Sequence, residues 1–195
     1  MEQITLLDDG CLKYEATFLA PERANSLFTT LRDTIPWHGE GSRGRLFPRL
    51  VAWYADPGVV YTYSGITHTS SPWTPELLEI RARIEQATEA GFNSVLLNFY
   101  RDGRDSMGFH ADDEPELGQN PVIASVSLGV ARRFVLKHNR TVEKHEIVLE
   151  HGSLLVMGGT CQHFWKHAIP KTAKVVGPRI NLTFRQLQEQ VNRWK

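Results

Sequence analysis

The feature that most limits what this chain can fold into is the rhythm of its second half. Short runs rich in β-branched and aromatic residues recur there at roughly 10-residue spacing, with Gly, Asn and Pro between them. They read NSVLLNFY (93–100), VIASVSLG (122–129), RRFVLKH (132–138), HEIVLE (145–150), GSLLVMG (152–158) and RINLTFR (179–185). No helical pattern alternates with them, and a parallel sheet needs such crossovers. The expectation is a mainly β chain, an antiparallel sandwich or jelly roll with flanking helices.

Two helices are expected outside the strands. In APERANSLFTTLRDTI, Pro21 suits a first helical position, and Ala24, Leu27, Phe28 and Leu31 keep the i, i+3, i+4, i+7 pattern. In TPELLEIRARIEQATEAG, Thr74 caps and Pro75 opens; Leu77, Leu78, Ile84 and Ala87 supply the apolar stripe, and Gly91 ends the helix. Between the helices, RLVAWYA (49–55) and VVYTYSG (59–65) flank Asp56-Pro57-Gly58, a turn signal that predicts a hairpin.

At 195 residues, with no repeat and no linker, the chain reads as one domain, 1–195. Lys and Arg (22) cancel Asp and Glu (22), so the overall charge announces no nucleic-acid partner. The distribution is less even. Asp102 to Glu116 is an acidic stretch, and the chain beyond His163 is basic. Cys11 and Cys161 fit no zinc spacing and read as free thiols in a reducing compartment. No run approaches the roughly 20 apolar residues of a membrane span, and MEQITLLDDG lacks the basic start of a secretory signal. A cytoplasmic protein is expected if the source is bacterial, with the nucleus open if it is eukaryotic.

Two motifs carry chemistry. In MGFHADDEPEL (107–117), His110 and Asp112 project to the same side of an extended segment and can converge on one cation. A third ligand must come from elsewhere, and His163 and His167 both fall on a later strand that could supply it. Two histidines and one carboxylate on one face form the arrangement of non-haem Fe(II) oxygenases. Alone, an HxD pair is as easily an acidic surface loop. The second motif is RINLTFR, which places Arg179, Asn181, Thr183 and Arg185 on one face and Ile180, Leu182 and Phe184 on the other. A buried guanidinium needs a partner. Two internal salt bridges or one small dicarboxylate would satisfy this pair.

These segments resemble the AlkB-type Fe(II)/2-oxoglutarate dioxygenases, over about residues 44–187 and in the expected order. The similarity runs through LLNFYRDG (96–103), FHADDEPEL (109–117), IASVSLG (123–129), HGSLLVMGG (151–159), WKHAIP (165–170) and RINLTFR. PRLVAWYADPGVVYTYSGIT (48–67) and the DDEPEL run resemble the DNA-repair branch. The resemblance implies a double-stranded β-helix (jelly roll) and a single dioxygenase domain, with residues 37–70 as a nucleotide-recognition lid. It implies Fe(II) on His110, Asp112 and His167. His167 is preferred to His163 because it stands twelve residues before Arg179.

For 2-oxoglutarate, the resemblance implies Arg179, Arg185 (at the far carboxylate), Asn98, Tyr100 and Asn181, with O2 as the other cosubstrate. Tyr61 and Tyr63 match the nucleotide lid, so that one of them would stack on an extruded base opposite His110, and Asp113 and Glu114 would read the cationic edge of the damaged base. The implied reaction is oxidative demethylation of N-alkylated nucleobases, of the 1-methyladenine and 3-methylcytosine type, as direct repair of alkylated DNA. RNA is a second polymer to weigh; a dioxygenase of the same fold acting on protein or lipid, a non-catalytic jelly-roll module and a metallohydrolase are the alternatives. The protein is expected to act as a monomer without a membrane. Leu46 and Phe47 are possible base-displacing wedges, and Arg43, Arg45, Arg49, Arg132, Arg133, Lys137 and Arg140 are candidate phosphate contacts.

Overall fold

The strand rhythm is realised as two facing antiparallel sheets. A computed structural model describes residues 1–5, 10–42, 44–63, 66–68, 70–174 and 176–188. The first half comprises β1 (Glu2–Thr5), β2 (Gly10–Glu15), α1 (Pro21–Thr34), β3 (His38–Ser42), β4 (Arg45–Ala55), β5 (Tyr61–Tyr63), β6 (Ile66–His68) and α2 (Pro75–Thr88). The second comprises β7 (Ser94–Tyr100), β8 (Met107–His110), β9 (Ile123–Gly129), β10 (Arg132–His138), β11 (Lys144–Leu149), β12 (Ser153–Gly159), the single turn α3 (Cys161–Phe164), β13 (Trp165–Ile169) and β14 (Arg179–Arg185). The large sheet has the order β1-β2-β12-β9-β14-β7-β4-β3, the small one β11-β10-β13-β8, and β5-β6 forms a separate ribbon. The fold is the expected one: mainly β, with a few helices outside.

Alternation along each strand builds two cores. From β14, Ile180, Leu182 and Phe184 join Val95 and Leu97 of β7 and Ala124, Val126 and Leu128 of β9 beneath the helices. α1 contributes Ala24, Leu27 and Leu31 to this layer; α2 contributes Leu77, Ile80 and Ile84. The other face of the large sheet meets the small one through Val51, Trp53, Leu96, Leu136, Leu155 and Trp165. The polar residues of RINLTFR fall on this inter-sheet face, so strand period alone delivers both arginines into the interior.

Three local expectations are corrected. β4 does not form a hairpin with β5: it pairs with β3 and β7, and β5 pairs with β6. The Asp56-Pro57-Gly58 turn exists, with Gly58 at φ 85°, but it hands the chain out of the large sheet instead of back along it. On α2 the stripe is Leu77, Ile80 and Ile84, and Leu78 is 45% exposed. The helix also stops before Gly91, because Glu89 takes the left-handed conformation (φ 57°) and donates its N–H to the Glu85 carbonyl. Thr74 does cap it, accepting from the Leu77 N–H.

Candidate active site

The site lies between the sheets, where β7, β8, β9, β13 and β14 converge. β8 and β13 pair with His110 opposite His167, which brings the two rings to a centroid separation of 4.3 Å. Asp112 follows just past the end of β8. Ligand atoms of His110, Asp112 and His167 all lie within 4.8 Å of one another, a group that could hold a metal ion. Of the two histidines that the spacing left open, His167 joins this group. His163 turns toward the Gln119 carbonyl and Asn120 Oδ1.

The electrostatics suit a cation. His110 Nδ1 faces the Gly108 carbonyl at 2.9 Å, which makes that nitrogen the donor and leaves Nε2 toward Asp112 and His167. Burial first, then the neighbouring His110, pushes His167 down to about 3, so its ring is neutral near pH 7. Burial works to raise the Asp112 carboxyl, but Arg185 above all, with the two histidines, holds it at about 2. Asp112 Oδ1 accepts from Arg185 Nη2 at 2.8 Å, whereas the buried Oδ2 has no hydrogen-bond partner. The neutral His167 ring, the His110 Nε2 turned toward it and an ionised carboxylate with one unsatisfied oxygen fit a divalent metal.

A second group of unsatisfied atoms lies along β14. Arg179 is fully buried, opposite Tyr100 on β7 and Gly129 on β9. Its Nη2 donates to Ser127 Oγ at 2.9 Å and Tyr100 stands beside the guanidinium, while no acceptor sits in hydrogen-bond geometry on Nε or Nη1. Burial lowers the guanidinium to about 10, so it remains charged near neutral pH. A buried cation with two unmatched N–H groups costs free energy unless an anion meets it, and a carboxylate matches that fork. Asn98, Tyr100 and Asn181 share a cleft with His110, Asp112 and Arg185.

The two arginines occupy different ends. Their Cα atoms are separated by six strand residues, about 20 Å, and Arg185 reaches Asp112 at the metal end. Arg185 is thus engaged by a metal ligand, while the cation with unmatched nitrogens, away from the metal ligands, is Arg179. The expected substrate residues are less gathered. Asp113 is exposed, Glu114 is half-buried at the cap of the Pro115–Leu117 turn, and neither lines the cleft. Tyr61 and Tyr63 lie on β5, and their side chains are outside the described residues.

The candidate phosphate contacts are also sorted by the fold. Arg49 is 5% exposed and donates through Nε to Asn98 Oδ1 at 2.7 Å, with Phe47 packed on its guanidinium. Arg132 is 4% exposed and ties the carbonyls of Asp102, Asp105 and Pro170. Both are therefore internal braces, not surface contacts. Arg133 is paired with Glu146, Arg45 and Leu46 are exposed, and Arg43 lies outside the described residues. Sequence reasoning also passed over Gln162, whose Oε1 accepts the Asp112 N–H. A lone neutral amide carries no signal for such a role.

Comparison with known proteins agrees with this geometry. Residues 12–185 match the model of the 2OG-Fe(II) oxygenase superfamily. The mouse alpha-ketoglutarate-dependent dioxygenase alkB homolog 3 is 47% identical over 182 residues, 86% of this chain and 63% of that protein. The mouse DNA oxidative demethylase ALKBH2 is 45% identical over 148 residues, 72% of this chain and 62% of its own. The chain thus spans a little over three-fifths of the length of these relatives. Among solved structures, OsALKBH1 superposes with TM-score 0.68 at 17% identity, covering 95% of this chain and all of that one. A Pseudomonas putida prolyl-4-hydroxylase superposes at 0.59 and 16% identity, covering 90% of this chain and 92% of that one. At such identities these two speak for the fold alone. By its sequence match over residues 12–185, with a jelly-roll fold and a His-Asp-His group that fit it, this chain belongs to the 2OG-Fe(II) oxygenase superfamily.

Proposed function

We propose that the chain is an Fe(II)- and 2-oxoglutarate-dependent dioxygenase that removes N-methyl groups from nucleobases in DNA, of the 1-methyladenine and 3-methylcytosine type. The observation that carries this reading is the pairing, between the same two sheets, of a His110–Asp112–His167 group with a buried Arg179 that has two unmatched N–H donors. A metallohydrolase gives that arginine no role. The nucleobase substrate is supported by relatives named as a DNA oxidative demethylase and as alkB homologues.

In this reading His110, Asp112 and His167 hold iron, which when bound supplies the O2 activation that hydroxylates the methyl group, later lost as formaldehyde, at the expense of 2-oxoglutarate. Arg179 takes the cosubstrate's far carboxylate in its fork, with Tyr100 beside it, while Asn98 and Asn181 line the walls. Arg49 fixes the Asn98 side chain by donating to its Oδ1. Arg185 keeps Asp112 ionised, so the carboxylate is ready for a cation at any pH above about 2. Asp113 and Glu114 favour a positively charged methylated base, and Tyr61 and Tyr63 stack on it. The lid is read within residues 37–70, in the β5–β6 ribbon and the ends of β3 and β4; the burial of Val51–Ala55 in the large sheet supports leaving those residues out of it.

The protein is read as a monomer acting in a bacterial cytoplasm or a eukaryotic nucleus; no helix among the described residues is long and apolar enough to cross a membrane. The test uses matched single- and double-stranded oligonucleotides that carry one methylated base. Formaldehyde release that requires Fe(II), 2-oxoglutarate and O2 together is expected. No release from any methylated DNA or RNA oligonucleotide would remove the nucleobase assignment.

A further inference from the structure

The carboxylate ligand of the candidate metal group stands where its own strand has ended. β8 stops at His110, so the Asp112 N–H has no ladder partner. It donates instead to Gln162 Oε1 at 2.9 Å, with Asp112 at 3% and Gln162 at 2% exposure. Gln162 belongs to α3, the turn that leads directly into β13 and His167. Among the described residues its Nε2 donates to Met157 Sδ, at 3.6 Å. A thioether is a weak acceptor, so the bond to Asp112 is the strong one that Gln162 makes.

The turn itself is well anchored. The next residue, His163, faces the Gln119 carbonyl and Asn120 Oδ1. From the other side Asn139 donates its side-chain amide to the His163 carbonyl and its backbone N–H to the Phe164 carbonyl. Residues 112 and 119–120 are thus held at two points by adjacent residues of one turn. The Asp112 carboxylate is fixed separately by Arg185.

We propose that Gln162 is a positioning residue of the metal centre: through Oε1 on the Asp112 N–H, it holds the carboxylate ligand in register with His167 and so sets metal affinity. The inference rests on the metal reading given above. A ligand on an unpaired loop must be ordered when the cation binds, and that ordering weakens binding. Gln162 orders it beforehand. Groups that orient metal ligands in this way typically contribute about 10–100-fold in affinity.

The test is a calorimetric titration of the metal-free full chain with Mn(II), a redox-quiet stand-in for Fe(II), alongside thermal melting without metal. Gln162→Met keeps the volume but removes the acceptor, and Gln162→Glu keeps an acceptor oxygen at the same reach. Gln162→Met should weaken Mn(II) binding about 10–100-fold while the metal-free protein stays folded and melts only a few degrees lower, the cost of one unpaired buried N–H, and Gln162→Glu should recover most of the affinity. Wild-type affinity in Gln162→Met overturns the proposal, as does equal loss in both variants, because packing rather than the acceptor would then be at work. If the wild-type chain takes up no Mn(II), the metal reading itself falls and the role of Gln162 falls with it.

Discussion

Arg179 and Arg185 look equivalent in the sequence, and their surroundings make them different. Arg185 has an acid, so truncating it leaves Asp112 as a buried carboxylate without its guanidinium. Arg185→Ala should therefore destabilise the metal-free protein by about 3–5 kcal/mol in chemical denaturation, and added divalent metal should restore part of the loss. Arg179 has no acid partner among the described residues and carries two unmatched N–H groups. Arg179→Met should change stability by about 1 kcal/mol or less, yet raise the KM for 2-oxoglutarate about 100-fold, the scale of losing one partner of a buried charge pair. A variant that keeps its KM would show that Arg179 meets no carboxylate. His167 sets the pH response. Its folded value is about 3 and the ordinary one about 6.5, so the unfolded chain binds the extra proton in between. Stability of the metal-free protein should then fall as pH drops below about 6.5, and between pH 6.5 and 5.5 His167→Gln should lose about 1 kcal/mol less than wild type.

At the scale of elements, the sequence was legible where one residue type in one local pattern decides the outcome. Strand period put Arg179 and Arg185 inside, because Ile180, Leu182 and Phe184 could bury only under the helices. Pro75 and Thr74 opened α2 as expected. Strand pairing was not legible, since the turn after Ala55 gives no sign that β4 finds its neighbour in β7, some forty residues on. Neither were Arg49, Arg132 and Gln162, whose types are ordinary on a surface and whose roles come from long-range contacts. The α2 stripe was misjudged, since Leu78 and Ala87 are exposed and Ile80 is buried, and that has a measurable consequence. Ile80→Ala should cost about 2–5 kcal/mol through the cavity it opens, whereas Leu78→Ala should stay within about 0.5 kcal/mol. Equal losses in urea denaturation would contradict the observed helix orientation.

At the scale of the whole molecule, the two sheets divide the work. The large sheet, backed by both helices, supplies Arg179, Arg185, Asn98, Tyr100 and Asn181. The small sheet and the loop beyond β8 supply His110, Asp112 and His167. A metal with no dicarboxylate beside it would leave Arg179 unmatched, and a dicarboxylate without the metal would leave Asp112 Oδ2 unmatched. The two unmet demands lie between the same sheets, so one reaction that uses a metal and a dicarboxylate together meets both. The most direct measurement is the intact mass of an oligonucleotide carrying a single 1-methyladenine, incubated with the protein, Fe(II), 2-oxoglutarate and O2. Conversion to the mass of the unmethylated strand is expected, with one succinate formed per methyl lost and none of this in His110→Ala. An unchanged mass with every methylated base, from protein that binds both metal and 2-oxoglutarate, would contradict it.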